Sequence, residues 1–174
     1  SIELNATFYN SPDKNQVVQW KEKTPEDFKF FPKIPQSVIH YRRLNDVKNL
    51  TDEFADSVSM FEEKLGMVFL QMIDYFKPKF IDRVRSFAQD FPKGVPLAIE
   101  VRNEDWFKGE VFNTYYDILK KNNITNIIVD AAARRDMLHM RLSNDAAFVR
   151  YVVANHKSDY SRLEDWVERI KTWR

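Results

Sequence analysis

Short apolar stretches, MVFLQ at 67–71, PLAIEV at 96–101 and NIIVD at 126–130, alternate along the chain with segments whose apolar residues recur every three or four positions. Nothing else in the sequence constrains the fold as much. Buried strands separated by amphipathic helices imply a parallel sheet with right-handed crossovers, covered by helices. The same alternation runs through the rest of the chain. It opens on IELNATFY, where Ile2, Leu4, Ala6 and Phe8 share one face of a strand and Glu3, Asn5, Thr7 and Tyr9 share the other. Ser11 and Pro12 then suit the start of a helix carrying Val17, Val18 and Trp20, and Pro25 stops it. FKFFPK at 28–33 reads as a short aromatic strand. Val47, Leu50, Phe54, Val58 and Phe61 mark a helix over 46–65, ended by Gly66. Helices are expected over 77–91, 104–122 and 161–173, and AFVRYVV at 147–153 is the sixth strand.

With only three glycines, no strand is followed by a glycine-rich phosphate loop, so the dinucleotide-binding and P-loop architectures are excluded. The even strand spacing suits a parallel β/α barrel. Six strands are too few to close the usual eight-stranded ring, so residues 1–174 read as a single, partial TIM-type barrel domain with units missing at both ends. A formal charge of +1 gives no global attraction to nucleic acid, and general nucleic-acid binding is disfavoured. The absence of cysteine removes disulfides, thiolate nucleophiles and Cys-ligated metals, and fits a reducing, cytoplasmic setting. No apolar run approaches the roughly 18 residues of a membrane span.

IELNATFY with the Trp-containing helix after it, FKFFPKIP followed by His40 and Arg43, FLQ, AIEVRNEDWF, IIVD, and FVRY before a Ser-Arg-Leu-Glu-Asp-Trp helix together resemble the YecE-like family, also called domain of unknown function 72. The resemblance runs over essentially the whole chain and is most specific in the first strand and in Glu100-Val101-Arg102 with Trp106. It implies a TIM-type barrel, with a glycine-containing strand before this segment and further barrel after it. In that family a histidine-glycine pair usually follows the seventh-strand arginine. Here Arg150 is followed by Tyr151, Val152 and Val153. The resemblance implies no reaction.

Barrel sites are built where strands end. By that rule the strands offer Glu3, Asn5 and Thr7, then Lys33, Gln71, Glu100 with Arg102, Asp130, and Arg150. Each has a plainer reading: Asp130 as a loop cap, Gln71 as a satisfied core amide, and Glu3, Lys33, Arg102 and Arg150 as structural ion pairs. His40 and Arg43 are either a phosphate clamp over the mouth or part of a solvated loop. Trp106 is either a lid or core. His40, His139 and His156 lack metal-ligand spacing.

Three cations beside three carboxylates suit an anionic substrate, gripped by arginine and lysine while a carboxylate handles a proton. Glu100 and Arg102, two positions apart, should face the same way with Cα atoms roughly 6–7 Å apart. Glu100 is then the candidate base or Mg²⁺ ligand, Glu3 one layer deeper is the candidate proton donor, and Asp130 is the third catalytic candidate. The expected ligand is a small phosphate- or carboxylate-bearing molecule or a phosphodiester. The competing class is a protein that binds a metabolite or nucleic-acid backbone without chemistry.

Overall fold

The computed structural model describes residues 1–132 and 134–173. In chain order it contains β1 (Ile2–Leu4), α1 (Ala6–Tyr9), α2 (Lys14–Glu22), β2 (Phe30–Pro32), α3 (Lys48–Val58), β3 (Val68–Gln71), α4 (Ile81–Asp90), β4 (Leu97–Glu100), α5 (Gly109–Lys121), β5 (Thr125–Asn126), β6 (Ile128–Ala131), β7 (Val149–Val152) and α6 (Ser158–Thr172). Every strand pairing is parallel, and neighbours in sequence are neighbours in space: β1 with β2, β3 with β4 and β4 with β5, β6 with β7. Single bridges, Phe30 to Leu65 and Lys33 to Phe69, tie β2 to β3. β5 and β6 are one run of chain interrupted at Ile127, whose N–H donates to the Ile99 carbonyl. Among the described residues β1 and β7 are edges with no pairing between them, so the sheet does not close into a ring.

Register fixes which side chains share a face. Glu3 lies beside Phe31, Lys33 beside Phe69, Phe69 beside Ala98, Gln71 beside Glu100, and Val129 beside Arg150. This face is concave: the Phe148 ring at the start of β7 reaches Phe31 and Phe69, with centroids 5.4 and 5.9 Å away. Its lower layer is apolar, built on Phe69, Ala98, Ile127 and Val129. The other face carries Phe30, Val68, Leu70, Leu97 and Ile99 into the main core, against Phe54, Val58, Val84, Phe87, Tyr115 and Leu119 of the helices. Two apolar layers with a sheet between them account for the near-continuous apolar strands of the sequence.

Several expected boundaries differ. The opening strand stops at Leu4, and residues 6–9 turn into a helical turn held by the Thr7 hydroxyl, which donates 2.8 Å to Leu4 O and 2.7 Å to Lys33 O. Asp13, not Ser11, caps α2 by accepting from Gln16 N–H. The helix expected over 46–65 ends at Val58 and continues as a tighter 3₁₀ run broken at Glu62, whose φ is +50°. Gly66 therefore does not terminate an α-helix. A Cβ there would lie 2.7 Å from the Phe31 ring, so the glycine admits that ring beneath the chain. The helix expected over 104–122 is split at Lys108 into a 3₁₀ turn and α5. No helix is long and apolar enough to cross a membrane among the described residues.

Among its described residues, the connection from β6 to β7 contains no α-helix. A loop takes its place, packing the partly buried His139 ring against Phe107 and Phe112 with Nε2 3.2 Å from Ile127 O. Burial lowers the His139 pKa to about 4, against the partial compensation of that carbonyl. Because the folded value lies below the unfolded one, the unfolded chain takes up this proton first. Stability should fall as pH drops from about 6.5 towards 4, by no more than about 3 kcal/mol. Urea unfolding at pH 7 and pH 4.5 measures this. His139→Phe should reduce the difference, and an unchanged pH slope in that variant would refute the assignment.

Candidate functional site

At the carboxyl end of the concave face the apolar filling gives way to a polar network. Glu100, the last residue of β4, has only 2 % of its side chain exposed. A carboxylate buried this deeply must be paired, and its oxygens are divided between partners from two other strands. Gln71 Nε2, one strand away, donates to Oε1 at 3.0 Å, and Arg150 Nη1 from β7 donates to Oε2 at 2.6 Å. Arg150 also spans to β1, donating from Nε to Glu3 Oε1 at 2.8 Å and from Nη2 to Glu3 Oε2 at 3.2 Å. Lys33, directly after β2, donates to Gln71 Oε1 at 2.7 Å. Lys33, Gln71, Glu100, Arg150 and Glu3 thus form one continuous chain drawn from five strands.

Arg102 lies at the rim. Its Nε is 3.9 Å from Glu100 Oε1 and 3.2 Å from Asp74 Oδ1, yet this buried atom makes no hydrogen bond with either. Of the three cations expected at the mouth, Arg150 and Arg102 stand 2.6 and 3.9 Å from the Glu100 carboxylate, whereas Lys33 reaches it only through the Gln71 amide. Desolvation pulls the Arg150 guanidinium down, but the Glu3 and Glu100 carboxylates together outweigh it and its pKa stands above the usual value. Lys33 moves the other way. Burial lowers its pKa, the Arg150 charge lowers it further, and Glu100 and Glu3 only partly oppose them.

The remaining candidates fall elsewhere. Asn5 is exposed in the β1–α1 turn, and Thr7 is wholly buried with its hydroxyl spent on backbone, because the chain leaves the strand before either can face the site. His40 is exposed on a π-helical turn, its ring edge-on to Phe8 at 5.1 Å, and Phe8 in turn lies 4.4 Å from Lys33 Nζ. Burial and the Lys33 charge lower the His40 pKa. The Arg43 side chain is exposed, in a left-handed backbone (φ +49°) shared with Leu44 and Asp46. Trp106 is no lid: it is fully buried, stacked on Phe76, with Nε1 donating 2.6 Å to Phe76 O.

Asp130 is the clearest displacement. It pairs in register with Tyr151, not Arg150, so it faces away from the network, where Arg135, Arg162 and the Trp166 indole bind it at 2.6, 2.7 and 2.7 Å. Glu3 is also not the deeper carboxylate. Its side chain is 31 % exposed because β1 is a sheet edge, so the proton-donor role assigned to it by depth loses its basis. Sequence reasoning missed Asp74, in the loop three residues past Gln71, and the approach of Phe8 from the helical turn α1, neither of which any periodicity encodes.

A hard cation would have to sit between Glu3 and Glu100, where Arg150 already stands, and no group of three carboxylate or histidine side chains clusters for a metal among the described residues. The residues present do not fit Mg²⁺.

The family model described as "Protein of unknown function DUF72" matches residues 1–174. The chain is 26% identical over 192 residues to the protein YecE of Escherichia coli K12, covering 99% of this chain and 71% of YecE. It is 25% identical over 137 residues to YunF of Bacillus subtilis 168, covering 74% of this chain and 48% of YunF. Among solved structures, a DUF72 family protein of Enterococcus faecalis V583 superposes with a TM-score of 0.79 at 19% identity, over 98% of this chain and 77% of that one. A DUF72 family protein of Thermotoga maritima MSB8 gives 0.72 at 23% identity, over 98% and 72%. With the family model matched from end to end, this chain belongs to the DUF72 family.

Proposed function

We propose that the chain binds a small phosphate- or carboxylate-bearing molecule at the carboxyl end of its sheet, and that Glu100 serves there as a general base. One observation carries this reading: a fully buried carboxylate tied through the Gln71 amide and the Arg150 guanidinium into a network drawn from five strands, set directly above an apolar layer. A buried ionic network contributes little stability compared with well-packed apolar side chains, so stability alone gives no reason for it. Unspent donors point to an anion. Arg102 Nε is buried without a hydrogen bond, and the Lys33 ammonium has three N–H groups for the one hydrogen bond to Gln71. The Glu100 carboxylate, held by Gln71 and Arg150, is the acceptor placed to take a proton from a bound molecule.

The curled parallel sheet fits one arc of a β/α barrel. Ile2 on β1, Val152 and Val153 at the end of β7, and Leu163, Val167 and Ile170 on α6 are large apolar residues left exposed along the two open edges. Further βα chain laid across them would complete the ring, and the longer relatives have room for it.

Titration calorimetry with inorganic phosphate and with pyruvate tests the site. Arg102→Ala should weaken binding about tenfold or more, the worth of one charge-assisted hydrogen bond. Glu100→Gln should retain binding while losing turnover of the true substrate. Raising salt from 50 to 200 mM should change the affinity only a few-fold. A loss of 10³ or more would instead indicate a nucleic-acid backbone as the ligand. Unchanged affinity in Arg102→Ala would leave the network structural.

A further inference from the structure

Lys33 differs from the other cations of the network in what it touches. Arg150 engages both Glu3 and Glu100, and Arg102 lies within 3.9 Å of Glu100, whereas no carboxylate lies within ion-pair distance of Lys33 among the described residues. Its one hydrogen-bond partner is a neutral amide, Gln71 Oε1. That amide is fixed, because its Nε2 is held by Glu100. Around the ammonium lie the Phe8 ring at 4.4 Å and the Phe69 ring at 6.0 Å, and the Arg150 guanidinium carbon stands 5.9 Å from that same Phe69 ring. The amine is thus half-buried between aromatic faces, beside a second cation and without a carboxylate at ion-pair distance, which are conditions that favour the free, nucleophilic amine of a lysine. The Phe8 face favours the charged form, but a cation–π contact at a partly exposed site is worth only about 0.5–1 kcal/mol. Burial and the Arg150 charge prevail, and the Lys33 pKa lies below the usual lysine range.

We propose that Lys33 is a nucleophilic amine that forms a Schiff base with a small aldehyde or ketone whose phosphate or carboxylate rests against Arg102. The proposal rests on the anion-binding reading and adds the carbonyl to it. The ammonium first gives one proton to water. The free Nζ then attacks the carbonyl carbon, forming the C–N bond of a carbinolamine while the oxygen takes up a proton. Loss of that oxygen as water, with a second proton, leaves a protonated imine. The sum is R–NH₃⁺ plus R′₂C=O giving R–NH⁺=CR′₂ plus H₂O, with no change of oxidation state. Gln71 cannot accept a proton from the amine, so its role is to hold Nζ in place.

Two measurements test this. First, competitive labelling of lysines with acetic anhydride across pH, read by mass spectrometry, gives the reactivity midpoint of Lys33. It should lie below those of exposed lysines such as Lys14 and Lys171. A midpoint equal to theirs overturns the proposal. Second, the protein is treated with pyruvate or dihydroxyacetone phosphate and reduced with sodium borohydride, which converts any imine to a stable secondary amine. One adduct per chain is expected with at least one probe, on the peptide containing Lys33. It should be absent from Lys33→Met and from Lys33→Arg, which keeps the charge but forms no imine, with circular dichroism confirming that each variant folds. Adducts spread over surface lysines, or none with either probe, overturn it. Calorimetry on the same samples separates the two readings: phosphate binding without a Lys33 adduct removes the Schiff base alone, and loss of both removes the anion site.

Discussion

Glu100→Ala should destabilise the protein by about 3–5 kcal/mol, the cost of breaking a buried ion pair by removing one partner. The deletion leaves Arg150 Nη1 and Gln71 Nε2 without acceptors in a place where the Glu100 side chain is 2 % exposed. Water cannot easily replace the carboxylate, because the layer beneath is made of Phe69, Ala98 and Val129. Arg150 would still hold Glu3, so the loss is not that of the whole network. Urea denaturation of the variant, of Arg150→Met and of the double variant measures the coupling. The double variant should be less unstable than the sum of the singles, since it removes the orphaned charge together with its partner. If Glu100→Ala costs less than about 1 kcal/mol, the carboxylate is solvated and the geometry of the site is not the one described.

What was legible in the sequence follows from which signals are local. Parallel sheet and helical cover were readable because buried strands such as Val68–Gln71 and Leu97–Glu100 are apolar on both faces, and the helices between them carry their own period. Counting alternate residues back from strand ends picks out Glu3, Lys33, Gln71, Glu100 and Arg150, and these five share one face. The same counting failed where its premise failed. The alternation in IELNATFY puts Asn5 and Thr7 on a strand that ends before them, since the turn at 6–9 is closed by a hydroxyl bond to Lys33 O, a contact 26 residues away in sequence. Counting puts Asp130 on the face opposite to the one it occupies because a single residue of register decides it, and the interruption at Ile127 hides that register from any pattern in NIIVD. Trp106 sits directly after a strand end, as a lid would, but its burial depends on Phe76 and Tyr115, brought to it by separate loops and helices.

The position of Asp130 carries the other large expected effect. Asp130→Ala removes the acceptor shared by Arg135, Arg162 and Trp166, leaving two guanidinium groups and an indole N–H facing an apolar methyl. The cost should again be about 3–5 kcal/mol. It should fall first on α6, because Arg162 and Trp166 both belong to that helix and Asp130 is their common anchor on the sheet. Asp159, which accepts from the Ala154 and His156 N–H groups, would continue to cap the start of the helix. The lesion should therefore loosen the body of α6 against β6 more than its first turn, and amide hydrogen exchange would show this as lost protection around Trp166 with β3 and β4 unchanged. Burial alone would raise the Asp130 pKa, but the Trp166 and Arg162 hydrogen bonds with the Arg135 charge hold it below the usual carboxylate range. A depressed folded value means that this stability is present at neutral pH and is lost as the pH falls through that value. The wild-type advantage over Asp130→Asn should therefore shrink in acid. Phosphate affinity at the concave face should stay within about twofold of the parent in both variants, because independent sites with no shared partner add without coupling. A large drop in phosphate affinity with α6 still protected would return Asp130 to the binding site and refute the register assigned to β6.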